Sequence, residues 1–316
     1  MEKIFKLGPG PHIKTAETVN DVMRDVIIAL MPALIAAIYF FKMKALLVVS
    51  ISVISALISE AVCQKIMGKK IEISDGSAVV TGLLFAFVVT PVLSLWMAVI
   101  GASISIILGK MVFGGLGHNI FNPALIGRTF LMASWPVAMT SWIKTDGTAG
   151  ATVLGVLKLD GYNSVLKMFD GKMDMYWQLF IGNRAGSIGE TSVFALLIGA
   201  AYLLYKKHIT LHTPISYIVT VFILSMIFKQ DPIFHVLSGG LIIGAFFMAT
   251  DMVTTPYTSI GRIIFGIGAG ILVVWIRLKG GYPEGVCYSI LIMNALTPLL
   301  NRYTRPKVFG EVKNNG

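Results

Sequence analysis

Residues 146–154 place Thr152 after Gly150 and Ala151 and before an apolar stretch. A threonine in this setting suits the N-cap of a helix, because its side-chain oxygen can accept a hydrogen bond from a free backbone N–H. The same position suits a phosphate, since a helix start offers unpaired N–H groups and a glycine lets a bulky group approach. The local pattern favours the cap and leaves the phosphate open.

Two further charged residues lie in or beside apolar runs, where a charge is costly and often functional. Asp251, with Thr250, Thr254 and Thr255, offers oxygen atoms that can bind a hard cation such as Na+ or relay H+. The same stretch can equally be a loop that caps the next helix. Arg128 lies inside an apolar run, and it either binds a partner or reaches the surface along its aliphatic stem.

The composition indicates where these residues lie. Of the 316 residues, 55% are hydrophobic and only 13% are charged, about half the charged fraction of ordinary soluble domains. Too few charges remain to cover a soluble surface, so the apolar residues must face lipid. The basic residues are scattered between apolar runs, which argues against nucleic acid as a partner. Cys63 and Cys287 have no neighbour at metal-ligand spacing and are interpreted as small buried hydrophobes.

Charge-free runs predict an all-α, polytopic membrane protein with about ten transmembrane helices. The runs are 26–41, 45–59, 76–109, 111–142 interrupted by Arg128, 191–205, 209–228, 232–250, 263–276 and 285–301. The run 76–109 is too long for one helix and is divided at Pro91. The predicted parts are an N-terminal segment 1–22, five helices in 23–142, a loop 143–190, five helices in 191–303 and a tail 304–316.

Lysine and arginine counts predict the orientation. With the N-terminus inside, 15 of the 26 basic residues lie on the cytoplasmic side and ten on the other side, in line with the positive-inside rule. Both termini are then cytoplasmic, and the loop 143–190 is extracytoplasmic.

Similar segments in the two halves predict an internal repeat. An acid, Asp75 or Asp231, precedes a glycine-containing helix in each half, and a Gly-Gly turn later opens a helix that carries Asn122 or Asn294. Because five helices per half is an odd number, the second copy must be inverted across the membrane. Inverted repeats are typical of transporters, whose sites lie at the repeat interface, and this arrangement resembles urea-transporter-like folds.

The pattern D-x-x-x-G-A-T, formed by Asp146, Gly150, Ala151 and Thr152, resembles the flavin-transferase acceptor motif. This motif occurs in membrane subunits of the Rnf and Na+-pumping quinone reductase (Nqr) complexes. Further segments resemble the RnfD/NqrB family at matching positions, and they are 8–13, 114–124, 247–251 and 284–285 with Asn294. The length is more similar to that of the shorter, RnfD-like members. A family form of the motif has serine where this chain has Ala149, which leaves Thr152 in place.

The resemblance implies covalent FMN, bound through its phosphate to the hydroxyl of Thr152. It also implies a second, non-covalent flavin, riboflavin, near Asn119 and Asn122, whose amides can both donate and accept hydrogen bonds. Arg128 would then contact a flavin phosphate or carbonyl. Alternatively, Asn119 is the cap of the helix that begins near Pro123.

The resemblance further implies a subunit of an Rnf-type ferredoxin:NAD+ oxidoreductase, a complex of the bacterial inner membrane that translocates Na+ or H+. Its partners would be the Rnf subunits A, B, C, E and G. The chain carries no Walker loop, dinucleotide fingerprint, zinc pattern or iron–sulfur cysteine cluster, so it would take electrons from partners and not be catalytic alone. Two alternatives remain: a channel or carrier without a redox role, and a membrane scaffold without a cofactor.

Overall fold

A computed structural model describes residues 17–144 and 147–306, and this part of the chain is helical. Its only β-type pairing is an isolated bridge between Ile143 and Ala149, which confirms the all-α prediction for the described residues. The helices, numbered in chain order, are α1 Val19–Ile66, α2 Ser77–Phe87, α3 Leu95–Ile106, α4 Pro123–Ser134, α5 Pro136–Met139, α6 Val153–Asp160, α7 Tyr162–Leu166, α8 Lys172–Ile181, α9 Val193–Tyr205, α10 His212–Ile227, α11 Pro232–Leu237, α12 Leu241–Ile243, α13 Ser259–Lys279 and α14 Val286–Tyr303.

Helix α1 contains a break that divides it into two helical parts. It begins with a capping box, in which the Thr18 side chain accepts from the Asp21 N–H and the Asp21 carboxylate accepts from the Thr18 N–H. At Lys42 the backbone leaves the helical region (φ 54°, ψ −136°). This break lies between the apolar runs 26–41 and 45–59, so α1 supplies two consecutive segments.

The apolar run 111–142 is not one continuous helix. A π-helical turn, Ile107–Met111, ends α3, and residues 112–122 form an irregular segment. Helix α4 starts at Pro123, because proline has a preset φ and no N–H to leave unpaired, and the Asn122 side chain accepts from the Leu125 N–H at 3.4 Å. The cap is therefore Asn122 and not Asn119.

The charge-free run 232–250 is interrupted as well. Helix α11 ends at Leu237, and Gly239 has a left-handed backbone (φ 65°) that a continuous helix does not allow. The chain then continues through α12 into a second π-helical turn, Gly244–Met248. Both halves thus contain a short, interrupted helix buried among longer ones.

Two helices, α1 and α13, are long and apolar enough to cross a membrane, and Ser77–Phe87, Leu95–Met111, α9 and α10 are shorter apolar helices. Glycines allow close contacts between them, as in many membrane proteins. A Cβ at Gly127 in α4 would lie 2.0 Å from the Ser105 Oγ of α3, and one at Gly266 in α13 would lie 1.9 Å from the Ser216 Oγ of α10.

The central segment between the halves folds into α6, α7 and α8, which form a small layer with its own apolar core. The buried residues of this core are Val153, Leu154, Val165, Met175, Leu179 and Phe234. Because Phe234 belongs to α11, the layer packs directly on the second half and fixes the position of α6.

Candidate functional site

Thr152 is the N-cap residue of α6, as the sequence pattern predicts. Its backbone is extended (φ −66°, ψ 151°), and its side-chain oxygen accepts a hydrogen bond from the Gly155 N–H at 3.1 Å. The residue is 5% exposed. Its hydroxyl thus lies at the start of an eight-residue helix, where free N–H groups and the helix dipole favour a negative group such as a phosphate.

Thr152 lines a cleft of about 210 Å³ that we call the outer cleft. One wall contains Trp142 and Thr152, the second is α4 with Arg128, and the third carries Tyr282 and Tyr288. The two tyrosine rings stack with centroids 5.3 Å apart. An aromatic lining with a few polar groups is typical of small-molecule sites.

Helix α6 is attached to the opposite wall of the outer cleft by Lys158. Its ammonium donates hydrogen bonds to the backbone carbonyls of Gly280 and Tyr282. Burial lowers the pKa of Lys158 from its ordinary value. Since Thr152 and Lys158 share one helix, this contact fixes the distance between Thr152 and the tyrosine wall.

A second attachment joins the central layer to α11 through Asp231. The carboxylate accepts hydrogen bonds from the hydroxyls of Tyr162 (2.6 Å) and Tyr176 (2.5 Å) and lies 3.2 Å from the Lys172 ammonium. Burial alone would raise the pKa of Asp231, but the two hydroxyls, the Phe234 N–H and Lys172 together hold it below its usual value of 3.8.

Arg128 lies beneath the outer cleft in a buried group of charges. Its Nη1 donates to Glu190 at 3.0 Å and its Nη2 to Glu284 at 2.6 Å, and its side chain is 7% exposed. The alternative in which Arg128 reaches the surface is therefore wrong. Both acids were missed by sequence reasoning, although Glu284 belongs to a segment that carries the family resemblance.

Two more buried arginines complete this group, which we call the charge cluster: Arg128, Arg184, Arg277, Glu190 and Glu284. Arg184 donates to the backbone carbonyl of Glu190 at 2.9 Å, and Arg277 donates to the carbonyls of His235 (2.6 Å) and Ser238 (3.0 Å). Within 17–144 and 147–306, the Nε atoms of Arg184 and Arg277 and the Oε2 atom of Glu190 are buried without a partner. Three guanidinium groups face two carboxylates, so the cluster holds an excess of positive charge.

An inner cleft of about 120 Å³ lies at the other end of α4. Asn119, Asn122, Thr250 and Asp251 all line it, so the residues proposed for riboflavin and for the ion lie together. Residues near the start of α1 line the same cleft, which places it at the end of the molecule where the described chain begins. The outer cleft with Thr152 lies toward the other end of α4, and Arg128 lies near the middle of that helix.

The two asparagines differ in their surroundings. The Asn122 N–H donates to the side chain of Asn294 at 3.2 Å, and the Asn122 amide lies 3.5 Å from the carbonyl of Met248. Asn294 in turn donates to the carbonyl of Thr254 at 3.2 Å. Asn122 is therefore largely occupied in joining the halves, whereas Asn119 makes one side-chain contact, a 3.3 Å bond to the Phe121 carbonyl.

Asp251 does not cap a helix. Its carboxylate accepts from the Val253 N–H at 3.4 Å and from the Thr254 hydroxyl at 3.1 Å, and Thr258 is the cap of α13. The Thr250 hydroxyl donates to the carbonyl of Phe246 at 2.6 Å. This arrangement leaves the Asp251 carboxylate beside the inner cleft with no cation among the described residues paired to it.

Sequence reasoning also missed a buried ion pair at the inner cleft. The ammonium of Lys110 lies 2.6 Å from Glu60 and donates to the Ser77 hydroxyl at 2.5 Å, and Lys110 lines the cleft. Glu60 and Lys110 each directly follow a charge-free run, and this position is the sequence signal that could have indicated buried charges. Asp146 and the segment 8–13 lie outside the described residues.

The whole chain is similar to known proteins. Residues 6–310 match the model of the NQR2, RnfD, RnfE family. The D subunit of the proton-translocating ferredoxin:NAD(+) oxidoreductase complex of Clostridium ljungdahlii is 49% identical, over 98% of this chain and 97% of that protein. The Na(+)-translocating counterpart of Acetobacterium woodii is 46% identical over 97% and 96%. The D subunit of the ion-translocating oxidoreductase complex of an Escherichia coli strain is 34% identical over 98% and 99%.

Proposed function

The chain belongs to the NQR2, RnfD, RnfE family, and we propose that it is the RnfD subunit of an Rnf-type ferredoxin:NAD+ oxidoreductase complex in a bacterial cell membrane. Its similarity to three such subunits extends over nearly the whole of each chain. The remaining Rnf subunits, A, B, C, E and G, would be its partners and supply the electrons. The coupling ion is Na+ in one relative's name and H+ in another's, so either ion suits the proposal.

The placement of Thr152 supports covalent FMN as the cofactor of the outer cleft. The hydroxyl lies at a helix start, Gly150 and Ala151 precede it without large side chains, and the cleft beside it has aromatic walls. The excess positive charge of the nearby cluster suits a negatively charged phosphodiester. Bound there, FMN would accept and pass on electrons, while Trp142, Tyr282 and Tyr288 would hold its ring and exclude water.

The inner cleft suits the second flavin, riboflavin, which has no phosphate. Asn119 is the better hydrogen-bonding candidate, because Asn122 already bonds to the second half of the chain. Thr250 and Asp251 offer oxygen atoms at the same cleft for a Na+ or H+ pathway.

Contacts between the halves support the ten-helix inverted repeat. Asn122 near the start of α4 bonds to Asn294 inside α14, whereas Thr129 further along α4 contacts Cys287 at the start of α14. Corresponding helices of the two halves therefore run antiparallel, as an inversion requires. With both termini cytoplasmic, the outer cleft and its flavin would be extracytoplasmic.

The position of Thr152 at a cleft that fits an aromatic cofactor carries this proposal, and covalent flavin tests it. The full chain is produced in cells that contain the flavin transferase, denatured, and separated on a gel. We expect a fluorescent band for the wild type and for Thr148→Ala, an exposed threonine of the same segment, and none for Thr152→Ala. A fluorescent Thr152→Ala band would place the flavin elsewhere, and a dark wild-type band would contradict the proposal.

A further inference from the structure

Glu190 is a buried acid that lines the same narrow gap as Thr152. The gap measures about 10 Å³, room for about one water molecule, and Arg184, Gly239 and Glu284 also line it. Glu190 is 3% exposed. A charge held in the outer cleft therefore acts on Glu190 mostly through protein, where it is screened less than in water.

The backbone around Glu190 is held rigidly in the interior. The N–H groups of Ile188 and Gly189 donate to the carbonyls of Val89 (3.1 Å) and Phe87 (2.9 Å) at the end of α2. A Cβ on Gly240 would lie 2.5 Å from Glu190 Oε1. The carboxylate is therefore buried and packs closely against the backbone of Gly240.

One oxygen of this carboxylate has no hydrogen-bond partner among the described residues. Oε1 accepts from Arg128, but Oε2 is buried and unpaired there. The nearby Ser187 hydroxyl favours the charged form of Glu190 and so opposes, but does not replace, the effect of burial. A buried, unpaired carboxylate oxygen is costly, and protonation at Oε2 removes much of that cost.

The charges that face Glu190 come from four segments. Arg128 lies on α4, Glu284 precedes α14, Arg277 lies on α13, and Arg184 lies on the same loop as Glu190. Burial first, and then the Glu284 carboxylate, raise the pKa of Glu190, while Arg128 and Arg184 oppose this. These opposing effects leave the proton affinity sensitive to one further charge in the outer cleft.

We propose that Glu190 takes up one proton when one electron enters the flavin of the outer cleft, and releases it when the electron leaves. The inference rests on the proposed attachment of flavin to Thr152. A reduced redox subunit of the complex supplies the electron, and a hydronium ion supplies the proton. One O–H bond forms at Oε2 and one O–H bond of hydronium breaks, so the net charge of the site is unchanged.

The test is a redox-induced infrared difference spectrum of the full chain, matured with the flavin transferase and reduced at an electrode. We expect the C=O stretch of a protonated carboxylic acid to appear on reduction and to shift in D2O. It should be lost in Glu190→Gln, shift in frequency in Glu190→Asp, and persist in Asp160→Asn, an exposed acid of the same segment. The flavin midpoint potential should depend less on pH in Glu190→Gln.

Each outcome decides between explanations. A band that persists in Glu190→Gln but disappears in Glu284→Gln would assign the proton to Glu284 and overturn the proposal. Absence of the band in a wild type that carries covalent flavin would show that the cluster only holds the halves together. A wild type without in-gel flavin fluorescence would overturn the proposed function, and this inference with it. If Glu190→Gln fails to fold, the frequency shift in Glu190→Asp decides the assignment.

Discussion

The guanidinium of Arg128 donates hydrogen bonds to two acids that lie 62 and 156 residues away from it in sequence. The planar fork of arginine allows this, whereas a lysine ammonium would reach only one of the carboxylates well. The pairings tie α4 to the central segment through Glu190 and to the start of α14 through Glu284. Arg128 therefore holds together three segments that surround the outer cleft.

We expect Arg128→Gln to lower the free energy of unfolding by about 3–5 kcal/mol, because it leaves two buried carboxylates without their cation. Thermal unfolding of the detergent-purified protein measures the loss. Arg302→Gln, an exposed residue near the end of α14, is the control and should leave Tm unchanged.

A double variant shows whether the carboxylates cause this loss. Arg128→Gln combined with Glu190→Gln removes one buried negative charge and should recover part of the stability. If the double variant is no more stable than Arg128→Gln alone, the role of Arg128 is one of shape and hydrogen bonding instead.

At this scale the sequence predicts local roles better than partners. The N-cap position of Thr152 follows from residues within three positions of it, because a cap needs only the first turn of its own helix. Glu190 and Glu284 could not be paired with Arg128, because their contacts depend on how distant segments fold together. The cap at Asn122 rather than Asn119 depends on where the irregular segment 112–122 ends, which the local sequence does not specify.

The element that positions Thr152 is the central layer of α6 to α8, which is attached to the helical bundle at few points. Lys158 joins α6 to the loop before α14, and Asp231 joins α7 and α8 to α11. Loss of either attachment should therefore loosen the layer without unfolding the longer helices.

We expect Asp231→Asn to make the central layer several-fold more sensitive to limited proteolysis at neutral pH, since it removes the charge that pairs with Lys172 and binds both tyrosines. The effect depends on pH with a defined sign. Because the pKa of Asp231 is lowered, the wild-type attachment is complete above the ordinary value of 3.8 and is lost only as the pH falls through the lower folded value.

The difference between wild type and Asp231→Asn should therefore be largest at neutral pH and fade at acid pH. Asp160→Asn, an exposed acid at the end of α6, should behave like the wild type throughout. Equal protease sensitivity of Asp231→Asn and wild type at pH 7 would mean that the apolar core around Phe234 alone holds the layer.

Contact between α1 and α9 depends on a glycine. A Cβ at Gly199 would lie 1.9 Å from the carbonyl oxygen of Ala29, and because that atom is backbone, the helices would have to separate. We expect Gly199→Ala to lower the free energy of unfolding by about 1–3 kcal/mol. Gly281→Ala, whose Cβ would have no neighbour within 4 Å, is the control in the same thermal unfolding measurement. Equal Tm values for Gly199→Ala and Gly281→Ala would show that α1 and α9 can move apart without loss of stability.

Apolar runs located the helices but not their interruptions. The breaks after Leu237 and before Pro123 occur in runs without charge, where hydropathy is uniform and only glycine, asparagine and proline signal an end. These two interruptions create walls of the clefts, so the parts of the fold that hydropathy misses are those nearest to the proposed sites.

Across the whole molecule, the two clefts lie toward opposite ends of α4, with Asn122 at the inner cleft, Met132 at the outer cleft and Arg128 in the middle of the helix. If the outer cleft holds FMN and the inner cleft lies on the cytoplasmic side, electron transfer and ion entry take place on different sides of the membrane. Any coupling must then pass through the buried contacts between the halves.

Asp251 offers a test of that coupling because a conservative change removes its charge and little else. Asparagine at this position keeps a side-chain oxygen to accept from the Val253 N–H and the Thr254 hydroxyl. In the complex reconstituted into vesicles, we expect Asp251→Asn to reduce ion uptake per electron transferred by at least severalfold, while covalent flavin and Tm stay at wild-type levels. Glu72→Gln, an exposed acid near α2, should retain the wild-type ratio. If Asp251→Asn retains that ratio too, the ion takes a route that does not need this carboxylate, and the buried Glu60–Lys110 pair at the same cleft becomes the next candidate.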